Sequence, residues 1–319
     1  MPNRINIFLV FASFALALAL PFELFLFSYA VLGPLHYLTQ LHWLREKSFF
    51  IPSGNMRVAG IAALLIVPAT LYELFRVLHI DIPQPFFGLL KTSGVLIPVA
   101  FLLAVFLVLS RGKLHWLAAT AIVLLSFALY SYLPGYTYIT IALLPTLVHV
   151  YLFTLLFVFY GAKKSRSAAG MWNGVLLLIV PFVLWFMPAR LFESVVNLHS
   201  EMFSDNDVFG VQGIVYRLLG GEQPFLFSSV LAVKIQVFIA FAYTYHYLNW
   251  FSKTGVIGWT KGLTPFRIGI VVLLWLGIVF MYWVDYQVGI SLLFFLSLLH
   301  VVLEFPLNAV VIKGLINRS

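Results

Sequence analysis

Four histidines stand inside long apolar runs: His36 in "VLGPLHYLTQLHW", His149 in "LLPTLVHVYLF", His246 in "TYHYLNW" and His300 in "LSLLHVVLEFPLN". An imidazole buried in hydrocarbon costs free energy unless something binds it. A single such histidine is ordinarily a packing residue held by a hydrogen bond. Four of them on four different runs suggest another use, because helical bundles build metal sites from donors on separate facing helices. His300 is followed by Glu304 at i+4, so both project from one helix face toward one spot. Neutral imidazoles with a carboxylate suit iron, zinc or manganese, and an all-histidine set suits iron or copper. His36, His149, His246 and His300 are therefore the candidate metal ligands. Glu304 is either a fifth ligand or a carboxylate that supports one. His42, in "LHWLREK", can replace a ligand or stand behind one. His79, His115 and His199 fall in loops or at helix starts and carry no metal reading.

The flanking residues fit a site. Gly33 and Pro34 precede His36, Pro145 precedes His149 and Pro306 follows His300. A proline kink frees backbone carbonyls and can open a cavity, although Pro and Gly are common in membrane helices in any case. Tyr243 and Asn249 lie three residues either side of His246 and can share its helix face. They are candidates for orienting a ligand or substrate, and with Glu304 they are the candidate catalytic residues. An interfacial aromatic belt accounts for Tyr247 and Trp250 equally well.

The elements that carry these residues are membrane spans. Apolar residues make up 62% of the 319-residue chain, charged residues 9% and aromatic residues 17%. The mean hydropathy is +1.03. This composition defines an all-α, polytopic integral-membrane helical bundle with about ten spans of ~20 residues and a single transmembrane domain over 1–319. The spans are expected at 5–20, 22–44, 56–78, 87–110, 114–133, 137–161, 171–189, 226–251, 266–285 and 288–312, with a tight turn or a kink at Pro21. The N-terminal apolar run lacks a small-residue cleavage site and reads as a first span. The chain has no cysteine, which excludes disulfides, iron–sulfur clusters and a thiol nucleophile.

The net charge of +8 does not point to nucleic acid, because the basic residues fall in short loops. With the N-terminus inside, fourteen of the nineteen Lys and Arg lie on the inner side. That bias predicts ten spans with N- and C-termini both cytoplasmic. The membrane expected is a bacterial inner (cytoplasmic) one, because no targeting segment points elsewhere. The four histidine-bearing spans then all run from outside to inside. His149 and His300 lie near the midplane, His36 somewhat deeper, and His246 a turn from the cytoplasmic end. The longest connection, 190–225, is an outer-side loop holding Glu193, Glu201, Asp205, Asp207 and Glu222. Its apolar spacing predicts two short interfacial helices, near 190–203 and 208–219. Glu23, Glu73 and Asp285 map to outer span ends. Lys234 lies a third of the way into its span and needs a partner, for which Asp285 is one choice. No solenoid repeat or inverted duplication is visible.

A cysteine-free helical membrane protein with several intramembrane histidines and many Phe and Tyr resembles the Brp/Blh-type bacterial carotenoid (beta-carotene) dioxygenases. In that family a Gly-x-Pro-His-Gly type motif and a later His-x-x-x-His pair are associated with a non-haem iron that cleaves a carotenoid to retinal. Here "GPLHY" is similar to the first motif at His36. "HYLNW" supplies His246, but Trp250 stands where the second histidine would be, so His300 or His149 would complete the set. The resemblance covers little of the chain. It implies Fe(II), with other transition metals possible. The function expected is thus a membrane metalloenzyme, an iron oxygenase or related oxidoreductase. Its substrate would be an apolar lipid or isoprenoid, carotenoid-like, entering from membrane lipid. A proton-coupled transporter using intramembrane His and Glu is the alternative, and a scaffold a third.

Overall fold

The computed structural model describes residues 2–47, 55–84, 86–88, 93–110, 115–133, 135–136, 139–193, 210–221, 229–257 and 264–316. Among these residues every regular element is a helix, with no strand. Helices α1 (Pro2–Ala19), α2 (Pro21–Phe27) and α3 (Gly33–Lys47) come first. Next are α4 (Asn55–Val77), α5 (Leu96–Leu109), α6 (Trp116–Tyr132), α7 (Thr154–Lys164) and α8 (Ala168–Phe186). They are followed by α9 (Gly210–Leu218), α10 (Val230–Ile257), α11 (Pro265–Val284) and α12 (Tyr286–Ile316). Among the described residues, six helical segments are long and apolar enough to cross a membrane: Pro21–Leu44, Gly60–Val77, Ala142–Lys164, Ala168–Phe186, Pro265–Val284 and Tyr286–Ile316. Shorter apolar helices stand at Asn3–Ala19, Leu96–Leu107 and Trp116–Tyr132.

Local chemistry explains the boundaries. Leu20 leaves the helical region (φ −139°, ψ 60°) and Pro21 opens α2 at its first position, where the missing N–H is not needed. Ser167 caps α8 by accepting from the Gly170 N–H at 3.1 Å, and Thr264 caps α11 by accepting from the Arg267 N–H at 3.3 Å. Asp285 Oδ1 accepts from the Val288 N–H at 3.0 Å and caps α12.

Two of the proline sites are not simple kinks. Ser28–Leu32, just ahead of Pro34, is π-helical, and so is Ile139–Phe153, which contains Pro145 and His149. A proline ring collides with the carbonyl four residues back and removes a donor, and the wider π turn relieves both. At Pro306, by contrast, α12 continues as α-helix.

The expected 87–110 span holds a shorter helix, α5, entered through a 3₁₀ turn at Ser93–Val95. In the 190–225 connection, a 3₁₀ turn lies at Ala189–Leu191, and α9 answers to the second expected helix. Residues 194–203 of the first expected helix, with His199 and Glu201, lie outside the described residues, as do Asp205, Asp207 and Glu222.

The chain divides into two compact units. The first comprises 1–29, 146–253 and 317–319. Its α10 is stitched to the other helices by polar bonds. Gln236 Nε2 donates to the Pro21 carbonyl at 2.9 Å, and Ser28 and Thr244 hydroxyls meet at 2.7 Å, so α10 runs parallel to α2. Asn173 donates to the Tyr245 hydroxyl at 2.8 Å, and Lys234 Nζ donates to the Trp185 and Met187 carbonyls at 2.7 Å each, so α10 runs antiparallel to α8. Lys234 thus caps the end of α8, and carbonyls take the role expected of a carboxylate such as Asp285. Phe14 meets Phe241, and Ser252 donates to Asn6 Oδ1 at 2.8 Å, which sets α1 antiparallel to α10.

The second unit comprises 30–145 and 254–316. Its core is a seam of α4, α5 and α12: Ala62, Ile66 and Ala69 against Ala100, Phe101 and Ala104, closed by Leu298, Val301 and Val302. Alanines at the contact let the backbones approach closely, which is how helices associate where lipid is as apolar as Leu. On another side α12 packs along α3 and α11.

Candidate metal centre

In the second unit α3 and α12 lie parallel and face each other through two i, i+4 pairs. His36 and His300 meet edge to face, with ring centroids 5.4 Å apart and 84° between planes. One turn on, the Gln40 side chain hydrogen-bonds the Glu304 carboxyl group. The next residue of α3 after His36, Tyr37, stacks on His300 at 4.1 Å and 23°. This stack fixes the plane of the His300 ring. All five side chains are buried, with His36 1%, His300 2% and Glu304 7% exposed. Asn308 continues the α12 row at i+8 from His300 and is also buried.

In the first unit His149, on the π-helical segment, meets His246 of α10 with ring centroids 5.2 Å apart at 65°. His149 is 1% and His246 8% exposed. Thr154 Oγ1, at the start of α7, lies 2.7 Å from His246 Nδ1. Tyr151, on the same run, sends its hydroxyl to the Leu177 carbonyl at 2.8 Å and packs its ring on Phe238 at 4.9 Å.

The buried His149, His300 and Glu304 form a group that could hold a metal ion. Two neutral imidazoles and one carboxylate are the donor set that divalent iron, manganese and zinc accept. All three are named from the sequence, His149 and His300 as ligands and Glu304 as a fifth ligand or a carboxylate that supports one. His36 and His246 each stand beside one of the three histidine or carboxylate donors through ring contact, at His300 and His149 respectively.

The other expected residues have different surroundings. Tyr243 sets its ring against Phe25 at 5.5 Å, Tyr29 at 5.9 Å and Tyr247 at 5.9 Å, an aromatic packing cluster. Asn249 is buried, and its backbone carbonyl accepts from Ser252 Oγ at 2.8 Å. His79 closes the turn after α4 in the left-handed region (φ 50°), and His115 precedes α6 with its ring near Phe106. Gln40, Tyr37 and Thr154 were not singled out from the sequence. Of these, only Gln40 carried a readable signal, as the residue at i+4 from His36.

No protein family, curated protein or solved structure matches the chain.

Proposed function

We propose that the protein is an integral-membrane metalloenzyme, a non-haem iron oxygenase acting on an apolar lipid or isoprenoid, with His149, His300 and Glu304 as ligands to Fe(II). The observation that carries this reading is the donor set itself: two buried histidines and one buried carboxylate. That combination, with coordination positions left over, is the set non-haem iron oxygenases use, and iron held there would supply dioxygen chemistry. The resemblance of "GPLHY" to a carotenoid dioxygenase motif points the same way and suggests a carotenoid-like polyene. The chain's part is to orient the ligands and exclude water. Tyr37 fixes the His300 ring by stacking, and Gln40 holds one side of the carboxyl group. An apolar substrate would reach the site from the bilayer.

The reading includes ten spans, both termini cytoplasmic, in a bacterial inner membrane. Helix polarity supports the count. The parallel packing of α3 and α12 requires an odd number of crossings between them. Seven intervene if α4, α5, α6, the 139–164 run, α8, α10 and α11 all cross. The six long spans alone leave four between them and would set α3 and α12 antiparallel. The α2–α10 and α1–α10 polarities satisfy the ten-span parity as well.

The test is metal analysis of detergent-purified protein, with His149→Ala, His300→Ala and Glu304→Gln, followed by dioxygen uptake with apolar polyenes. About one iron per chain, lost in each variant, is the expected result. Wild-type protein that takes up no metal after anaerobic loading would overturn the enzyme reading in favour of a proton-coupled carrier.

A further inference from the structure

Gln40 carries a buried oxygen that the hydrogen bonds of the site leave over. Its side chain is 1% exposed and hydrogen-bonds the Glu304 carboxyl group. A carboxylate on a metal accepts hydrogen bonds and donates none, so the amide turns its Nε2 to Glu304 and keeps its Oε1 for something else. Among the described residues, Oε1 has no hydrogen-bond partner. A buried carbonyl of this kind calls for a donor or a cation.

The position of that oxygen is bounded. An amide oxygen lies about 2.2 Å from the nitrogen of the same amide, and a hydrogen bond spans about 2.9 Å. Oε1 is therefore no more than about 5 Å from the Glu304 oxygen that accepts from Nε2. The donor atoms of His149, His300 and Glu304 lie within 4.8 Å of one another. The leftover oxygen is thus tethered to one member of the donor set, at a distance comparable with the spread of the set itself. Helix α3 brings it there as it brings His36, because residues four apart share a face and the His36 ring meets that of His300 at 5.4 Å.

We propose that Gln40 Oε1 is a fourth ligand of the metal held by His149, His300 and Glu304, an assignment that rests on the metal reading above. One amide then serves the site twice, with Oε1 on the metal and Nε2 on the carboxylate beside it. Two imidazole nitrogens, a carboxylate and an amide oxygen keep the site suited to iron, manganese or zinc, and the added hard oxygen turns it further from copper(I). Four donors still leave positions open on an octahedral ion.

Two measurements on detergent-purified protein test this. The first is Co(II) affinity, by anaerobic competition with a chelator, for the wild type, Gln40→Leu and Gln40→Glu. Gln40→Glu keeps an oxygen at the same reach and loses the N–H donor, whereas Gln40→Leu loses both. Gln40→Leu should bind about 100-fold more weakly, and Gln40→Glu should stay within about tenfold of the wild type. A Gln40 that only supported Glu304 through its N–H would give equal losses in the two variants. The second measurement is the infrared difference between Co(II)-loaded and metal-free protein whose glutamines carry carbon-13 at Cδ. Coordination should move one labelled carbonyl band to lower frequency, and Gln40→Leu should abolish that shift. Equal losses of affinity in Gln40→Leu and Gln40→Glu, or no labelled band that shifts on loading, would overturn the assignment while the metal site stands. Wild-type protein that binds no metal would defeat the metal reading and this assignment with it.

Discussion

Replacing Glu304 by Gln separates the site from the fold. The carboxyl group is buried and accepts a hydrogen bond from Gln40. A glutamine at this position keeps the length and shape of the side chain and still offers a carbonyl oxygen to the Gln40 amide. The packing of α3 on α12 should therefore survive. The anionic donor does not. Loss of a residue that merely supports a metal ligand costs about 10- to 100-fold in affinity, so loss of the ligand charge should cost about 100-fold or more, roughly 2.7 kcal/mol. The consequence is measurable through stability. At free metal a hundred times the wild-type Kd, bound metal stabilises the wild type by about 2.7 kcal/mol. A variant with about 100-fold weaker binding gains only about 0.4 kcal/mol at that concentration. Thermal unfolding in detergent, with and without Fe(II) or Co(II) under anaerobic conditions, reads the difference directly. It should amount to a Tm shift on the order of 5 °C in the wild type that nearly vanishes in Glu304→Gln. An equal shift in both proteins would refute the ligand assignment of Glu304. Equal metal-free Tm values are the control, because a large fall in the variant's own Tm would mean that Glu304 supports packing.

Four further outcomes are expected. Asn173→Ala removes the donor to the Tyr245 hydroxyl and should cost about 1–3 kcal/mol in a thermal melt, with much of the loss absent when Tyr245 is already Phe. Gly174→Leu should destabilise by about 1–3 kcal/mol, because a Cβ there would sit 2.5 Å from Phe159 Cε1; Phe159→Ala in the same chain should recover part of the loss. Lys234→Met breaks two bonds to the carbonyls ending α8 and should lower stability by about 1 kcal/mol, a loss insensitive to any substitution of Asp285. In this cysteine-free chain, single cysteines at the exposed Ser165 and Arg190 flank α8, so an impermeant maleimide should label the second from outside intact cells and the first only after lysis. Labelling of both from one side would remove α8 from the list of spans.

Much of the helix pattern was legible because lipid demands continuous apolar runs, and those runs leave marks about as long as the helices themselves. The break at Pro21 was legible from a single residue whose ring suits the start of a helix. The His300–Glu304 pairing followed from i+4 spacing alone. What lay beyond reach has a common cause: it depends on which helices are neighbours. Lys234 finds carbonyls at Trp185 and Met187, and every residue has a carbonyl, so nothing in the sequence marks those two. Thr154 reaches His246 across a separation of 92 residues. The π-helical stretch around His149 was hidden for another reason. Its turns are wider than those of an α-helix, so residues there share a face at a spacing other than 3.6 per turn. The Gly170–Gly174 spacing was readable as a close-packing signal, yet membrane helices carry many glycines and this pair stands out only beside Phe159 and Ala162.

Helix α12 ties the site to the core. Leu298, Val301 and Val302 lie on the stripe that packs into α4 and α5, and Phe305 meets Phe101 at 5.2 Å on the same side. His300, Glu304 and Asn308 form a second stripe, roughly 100° around the helix at 3.6 residues per turn. The two stripes alternate along the same three turns, so the helix cannot rotate to move one without unpacking the other. A binding site held this way is oriented before anything enters it, since the rotation of the ligand-bearing helix is already set by close-packed side chains. A carrier, which must present its polar groups to each side in turn, would gain from a helix free to tilt or roll. The α12 arrangement works against such motion, while the chemistry of a metal site, where donors must hold their geometry, is served by it.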